Sequence, residues 1–198
     1  GNIYSINGLH VESGKVGGGP DQYVNMSGTS MAAPQVAGMA AIVAQYIREN
    51  DLEAQTGLSA RHLAQSLLMS TAEPMLANAS SYHSILNQGA GLANVGAAVT
   101  ADSYITMADG SNAGAADGKV KVELGDDPTR EGAYTATFTL NNLTDSEKTY
   151  ALSAEIMTNG VTVIDGHALV TDEMVKLPAA VSFSTGDTVT VPSGGSAS

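Results

Sequence analysis

The hydrophobic pattern of the chain changes near residue 102. Residues 1–24 predict short extended segments, and from Ser30 to that point apolar residues recur mainly every three to four positions, which is the period of a helix. The stretch from Ser30 to about Arg48 is apolar nearly all round and predicts a helix buried in the middle of a domain. Ser59 is a predicted N-cap of a second helix, whose apolar face holds Ala60, Leu63, Ala64, Leu67 and Leu68. Polar loops are predicted over 51–58 and 73–88, and a short helix ending near Ala101.

Beyond Asp102 apolar and polar residues alternate, which is the period of a strand. The dipeptide Asn159-Gly160 predicts a hairpin turn between two strands. We therefore predict an α/β part over residues 1–101, followed over 102–198 by an all-β sandwich. The sequence of this sandwich leaves open whether its last strand is included. The predicted strands are Val120–Leu124, Tyr134–Leu140, Tyr150–Met157, Val161–Ile164, Val181–Phe183 and Val189–Val191.

A strand, a glycine turn and a helix start follow one another around Ser30. Tyr23 and Val24 read as the end of a strand, Gly28 permits a tight turn, and Ser30 lies in the first turn of the long helix. A hydroxyl held there faces free backbone N–H groups and the positive end of the helix dipole. Such groups stabilise the oxyanion that forms when a serine attacks a carbonyl.

Two other interpretations of this segment compete with a nucleophile of that kind. One is purely structural: Ser27, Thr29 or Ser30 caps the helix, a common use of these residue types. The other is the nucleophile elbow of α/β-hydrolases, G-x-S-x-G, which residues 28–32 meet with Ala32 in the last place.

A longer run resembles the serine signature of subtilisin-like proteases, the subtilases, at nine of its ten fixed positions. It reads Gly28-Thr29-Ser30-Met31-Ala32-Ala33-Pro34, followed by Val36-Ala37-Gly38. Gln35 stands where most of the family has His, a position outside the catalytic triad. The resemblance implies that Ser30 is the acylated nucleophile, that its own N–H is one oxyanion donor, and that Met31 makes the site sensitive to oxidation.

The resemblance extends along the chain. Gly89-Ala90-Gly91-Leu92 is similar to the element before the last helix of the subtilase catalytic domain, so residues 1–101 resemble the C-terminal third of that domain. Residues 102–198 resemble the fibronectin type III-like domain that follows it in cell-envelope members, the lactocepin-type proteinases and the streptococcal complement-cleaving peptidases. The implied protein is a secreted or cell-wall-associated bacterial serine endopeptidase that acts on proteins or peptides.

The family order of the triad is Asp, His, Ser, so both partners of Ser30 are expected upstream of it. Only 29 residues precede Ser30, and no Asp or His motif stands among them. An α/β-hydrolase would place the His after the Ser, with His62, His83 and His167 as candidates, but it needs alternating strands and helices that this sequence does not predict. We expect that neither these three histidines nor His10 is catalytic. We also expect that this chain is an excised piece of a longer protein and is inactive without the missing N-terminal part of its catalytic domain.

The composition excludes some function classes. The formal charge is −12, with 3 Lys/Arg against 6 Asp/Glu up to residue 100 and 5 against 14 beyond it, which argues against nucleic-acid binding. There is no Cys, no apolar run long enough to span a bilayer, and no signal peptide at Gly1.

No cofactor or metal site is predicted. The pairs Asp126-Asp127 and Asp172-Glu173 lack the spaced oxygen ligands of a calcium loop, although the parent protein could use Ca²⁺. The rival hypothesis is a non-catalytic binding or adhesin module derived from a protease, with Ser30 as a helix cap.

Overall fold

The computed structural model describes residues 3–6, 23–107, 119–122, 124–125 and 127–198. Helices dominate the first half of these residues and strands the second. In chain order the elements are β1 (Ile3–Ile6), β2 (Tyr23–Met26), α1 (Thr29–Glu49), α2 (Leu52–Thr56), α3 (Ala60–Ser70), β3 (Tyr82–His83), α4 (Ile85–Gln88), α5 (Val95–Val99), β4 (Ser103–Met107), β5 (Phe138–Asn142), β6 (Lys148–Ala151), β7 (Met157–Ile164), β8 (His167–Lys176), β9 (Thr188–Val191) and β10 (Ser196–Ala197).

The helices α1, α3 and α5 pack around one apolar core. The predicted second helix is confirmed as α3, and Ser59 caps it by accepting a hydrogen bond from the His62 N–H at 3.4 Å. The polar loop predicted over 51–58 is wrong in part, because it contains the short helix α2 with Leu52 buried. The core residues are Val43, Ile47, Leu52, Leu63, Ala64, Leu67, Leu68, Ala98 and Tyr104.

Helix α1 is confirmed in its extent, but not in its burial. Its buried side chains, Val43 and Ile47, both lie in the C-terminal half. In the N-terminal half Val36 is exposed, and Ile42 is exposed at the middle of the helix. The prediction of a helix buried all round is wrong for the described residues, since the helices that cover α1 reach only its C-terminal half.

Strand β4 is fastened to helix α3 at the junction of the helical and β regions. Ser66 Oγ donates a hydrogen bond to the Ile105 carbonyl at 2.6 Å, and the Ile105 N–H donates to Ser70 Oγ at 2.9 Å. The two serines are one helical turn apart, and together they bond the carbonyl and the N–H group of Ile105. The predicted boundary between Ala101 and Asp102 stays a prediction, and the two regions are closely bonded across it.

The described strands of the second half form small antiparallel sheets. Their orders are β10-β5-β4, β6-β9 and β3-β8-β7, so the last sheet takes one strand from the helical region. The fibronectin-like sandwich therefore stays a prediction. Val189–Val191 is confirmed within β9, and Tyr134–Leu140 is a strand only from Phe138. The strand predicted at Val181–Phe183 is wrong, and Tyr150–Met157 is interrupted over 152–156.

The hairpin β7–β8 turns at a different dipeptide from the one predicted. Asn159-Gly160 lies inside β7, where the pairing register shifts in a bulge between Asn159 and Val161. A Cβ on Gly160 would lie 2.6 Å from Thr171 Oγ1, so this position requires glycine for close approach. The chain reverses instead at Asp165-Gly166, whose φ angles of 50° and 77° are those of a type I′ turn.

Candidate functional site

The site around Ser30 begins with a small hairpin. Strand β1 pairs antiparallel with β2, with Ile3 opposite Met26, and the rings of Tyr4 and Tyr23 stack with centroids 5.1 Å apart. Ser27 and Gly28 then lead directly into α1. The predicted order of strand, glycine turn and helix is therefore confirmed.

Gly28 sets the geometry of the helix start. It is the N-cap residue, with φ 147° and ψ 167°, a backbone conformation that residues other than glycine rarely adopt. Its carbonyl accepts hydrogen bonds from the N–H groups of Met31 at 3.0 Å and Ala32 at 3.1 Å. Because Gly28 occupies the cap position, the alternative that Ser27, Thr29 or Ser30 is the N-cap is wrong.

Ser30 is the second residue of α1 and is exposed to solvent. The N–H groups of Thr29 and Ser30 come before that of Met31, the first to bond within the helix, and N–H groups at such positions carry the positive end of the helix dipole. The half-buried Met31 follows directly. An exposed hydroxyl that does not cap its own helix can attack a carbonyl once a base takes its proton, and the N–H donors at the helix start can stabilise the resulting oxyanion.

Pro34 affects the backbone of Ser30. Because α1 begins at Thr29, Pro34 lies in its second turn. At this position a residue with an N–H would donate to the carbonyl four residues earlier, which is that of Ser30. The Ser30 carbonyl therefore receives no helical hydrogen bond from position 34.

No histidine accompanies Ser30 in the described part of the chain. His62 lies half-buried on α3, His167 is exposed at the start of β8, and His10 is outside the described residues. His83 Nδ1 lies 2.8 Å from Asp172 Oδ2, a pairing that neither residue's sequence context predicts. The residues are 89 positions apart, and only the docking of β8 on β3 brings them together.

Asp172 is the centre of a polar clasp between the hairpin β7–β8 and the helical region. Its carboxylate also accepts a hydrogen bond from Asn87 Nδ2, and its carbonyl accepts one from the Ser84 N–H at 2.7 Å. The hydrogen bond from His83 is the main cause that lowers the pKa of Asp172, with Asn87 second. We call His83, Ser84, Asn87 and Asp172 the Asp172 clasp.

The His83–Asp172 pair resembles two thirds of a catalytic triad, but no nucleophile completes it among the residues that the structure describes. The neighbouring Ser84 is buried, and its Oγ accepts hydrogen bonds from the Leu86 N–H at 3.3 Å and from Asn159 Nδ2 at 3.1 Å. Ser84 thus caps α4 and binds β7. The clasp is a structural connection, and Ser30 remains the candidate for chemistry.

In each acidic pair considered for calcium, one carboxylate, that of Asp127 or Asp172, accepts hydrogen bonds from the protein itself. Asp127 accepts hydrogen bonds from the N–H groups of Gly132 at 2.7 Å and Glu131 at 3.1 Å, and these lower its pKa. Asp126 is outside the described residues. Over the described ranges no three acidic or histidine side chains gather as they would around a metal ion. Similarly, no helix within those ranges has the length and hydrophobicity needed to cross a membrane.

Comparisons with known proteins agree on one relationship. The Subtilase family matches residues 2–103. A PII-type proteinase of Lacticaseibacillus paracasei is 32% identical over 194 residues, covering 86% of this chain and 10% of that protein. A PII-type and a PI-type proteinase of Lactococcus lactis subsp. cremoris are each 31% identical with the same coverage. The chain thus spans about a tenth of the length of these relatives.

Proposed function

Since the chain belongs to the subtilase family, we propose that it is part of a serine endopeptidase and that Ser30 is its nucleophile. The observation that carries the proposal is the position of Ser30, exposed in the first turn of α1 after a strand and a glycine turn. The similarity to named proteinases extends over most of the chain and supports the same reaction class.

In the proposed reaction Ser30 Oγ attacks the carbonyl carbon of the scissile peptide bond. A histidine supplied by the missing N-terminal part of the catalytic domain takes the hydroxyl proton and passes it to the leaving amine. The Ser30 N–H donates to the oxyanion, and water then hydrolyses the acyl-enzyme ester. Gly28 contributes by fixing the direction in which the helix begins, and hence the direction of the hydroxyl.

The 198-residue chain alone is proposed to be inactive, because a serine without its base retains little of a triad's activity. Its partners are protein or peptide substrates and the remainder of the catalytic domain. The location proposed is extracellular, either secreted or attached to the bacterial cell wall. Residues 102–198 are proposed to form the fibronectin-like module.

The test is covalent labelling by a fluorophosphonate probe, which reacts with activated serines. The chain alone should not be labelled, and the same chain joined to the polypeptide encoded upstream of it should be. Ser30→Ala should abolish labelling and peptide cleavage in the longer protein. Ser27→Ala, directly before the N-cap Gly28, should retain both.

Three results would contradict the proposal. Cleavage by the isolated chain that Ser30→Ala abolishes would refute the dependence on upstream residues. Labelling of the longer protein that survives Ser30→Ala would refute the role of Ser30 and point to another nucleophile. No labelling of the unchanged longer protein would favour the non-catalytic binding module.

A further inference from the structure

The outer half of the hairpin β7–β8 extends beyond the part that is docked on the helical region. Its two arms, Val161–Ile164 and His167–Val170, are exposed at every position. The contacts that hold the hairpin lie below them, at the Asp172 clasp and where β3 pairs with Glu173 and Met174. Within the described ranges, the exposed arms therefore form a two-stranded ribbon that is held at its base.

One face of this ribbon is entirely aliphatic. Residues opposite each other in antiparallel strands share a face, and residues two apart along a strand do too. Val161 is opposite Val170, and Val163 is opposite Ala168. The three valines are 62%, 68% and 70% exposed in chain order. We call Val161, Val163, Ala168 and Val170 the valine face.

The ribbon also presents unpaired backbone. Strand β7 is the outer strand in the order β3-β8-β7, and in the described part of the chain it pairs only with β8. Every second residue of such an edge directs its N–H and C=O groups outward, where another extended chain can bind them. An exposed edge beside an aliphatic face is the arrangement used for peptide recognition by strand addition.

The charges nearby are predominantly negative. Asp165 lies at the exposed turn, and Asp172 and Glu173 lie further along β8. The positive charge of Lys176 on the same strand is neutralised by its ion pair with Glu155. A partner that complements this surface carries aliphatic side chains together with Lys or Arg.

We propose that the outer edge of β7 and the valine face bind an extended segment of a protein substrate that contains aliphatic and basic residues. The segment adds to the sheet as a fourth strand, with its aliphatic side chains on the valine face and a basic side chain near Asp165. That the segment belongs to a substrate rests on the proposed function. The ribbon then holds the substrate at a second point, away from Ser30.

A second copy of this chain fits the surface less well. Each copy carries a formal charge of −12, so pairing would bring two acidic turns and two acidic chains together. Four small side chains also offer far less than the roughly 1,200 Å² of buried surface that a stable dimer needs. An unfolded substrate segment avoids both difficulties.

The proposal is tested by peptide binding, measured by fluorescence anisotropy with the Ser30→Ala form of the 198-residue chain. The probes are two labelled peptides of twelve residues, one alternating Val with Lys and the other alternating Val with Glu. We expect the basic peptide to bind and the acidic peptide to bind at least about tenfold more weakly at low salt.

Matched variants locate the binding surface. Val161→Thr with Val163→Thr should weaken binding of the basic peptide by about tenfold, since threonine keeps strand propensity and shape but not hydrophobicity. Ile164→Thr with Leu169→Thr changes the opposite face of the same ribbon and should alter binding by less than about twofold. Asp165→Asn, which retains a residue suited to the turn, should weaken binding about two- to threefold at low salt and have no effect at 1 M salt.

Several results would overturn the proposal. These are equal binding of the two peptides, no binding of either, or equal effects of the two double variants. A change of sedimentation mass in the Val161→Thr, Val163→Thr variant would instead identify the face as a contact between copies. Because the readout is binding by a form without Ser30, these failures leave the labelling test of Ser30 untouched.

Discussion

At the scale of single residues, the orientation of Ser30 depends on the backbone conformation of Gly28. Ser30 is the chemical candidate, but the direction of its hydroxyl follows from the backbone of Gly28, whose φ of 147° is open to glycine and strained for other residues. The constraint is conformational, since the nearest atom to a Cβ at this position is Met31 Sδ at 3.8 Å, an ordinary contact.

We expect Gly28→Ala to lower the free energy of unfolding by about 1–3 kcal/mol, the cost of a strained backbone conformation. In the longer protein it should also reduce labelling of Ser30, because the helix start must shift. Gly38→Ala is the matched control within α1. No atom lies within 4 Å of its added Cβ, so this change should raise the free energy of unfolding by about 0.5–1 kcal/mol.

Urea unfolding of the two variants provides the measurement. Equal stability of the Gly28→Ala variant and the unchanged chain would mean that the turn relaxes without strain, and would contradict the assigned role of Gly28.

At the scale of elements, the contact between α3 and β4 joins the two regions. Ser66 is fully buried, and its hydroxyl provides the hydrogen bond to the Ile105 carbonyl. Removing it leaves the partly buried Ile105 carbonyl without that donor, whereas the partner of a serine on the surface has water as a substitute.

We therefore expect Ser66→Ala to lower the free energy of unfolding by about 1–3 kcal/mol. Ser80→Ala is the control: the Ser80 hydroxyl is exposed and donates to Asn78 Oδ1 at 3.1 Å, so its loss should change stability by less than about 0.5 kcal/mol. Hydrogen exchange of the Ile105 amide should accelerate in Ser70→Ala, which removes the acceptor of that N–H. An unchanged exchange rate would contradict the importance of the contact.

Elements with a strong local pattern were predictable from the sequence. The strand, glycine turn and helix around Ser30 and the apolar stripe of α3 are encoded by neighbouring residues, and both were predicted. Strand β8 was missed because His167–Lys176 does not alternate regularly between apolar and polar residues. The hairpin turn was assigned to Asn159-Gly160 because Asn-Gly and Asp-Gly favour the same turn type, and only the long-range pairing with β3 distinguishes them.

At the scale of the whole molecule, polar contacts between residues far apart in the sequence hold the fold together. The Asp172 clasp joins the hairpin β7–β8 to the helical region, and the ion pair between Lys148 Nζ and Asp102 Oδ2 at 2.5 Å joins β6 to the residue before β4. Neither could be predicted from sequence, because each joins residues that only the fold brings together. Lys148 is the main cause that lowers the pKa of Asp102.

These contacts give a sign for the dependence of stability on pH. The pKa values of Asp102 and Asp172 are lower in the folded chain than the ordinary value of about 3.9 for an aspartate. Their ionised forms therefore favour the folded state above pH 4, and this contribution is lost as the pH falls through the lowered folded pKa values.

We expect the urea midpoint to fall between pH 5 and pH 2, and to fall less steeply in Asp172→Asn, which cannot ionise. Asp145→Asn, at an exposed position between β5 and β6, is the control and should retain the slope of the unchanged chain. A slope in Asp172→Asn equal to that of the control would show that the clasp does not contribute to acid stability.

The serines that hold Ile105 have a consequence for storage at high concentration. With both polar groups of Ile105 occupied by α3, the middle of strand β4 cannot start hydrogen bonding to a neighbouring molecule. Among the described strands, β7 has the exposed aliphatic edge that β4 lacks. At concentrations high enough to overcome the charge repulsion between copies, growth of cross-β fibrils would therefore begin at β7, and Val163→Lys should delay it.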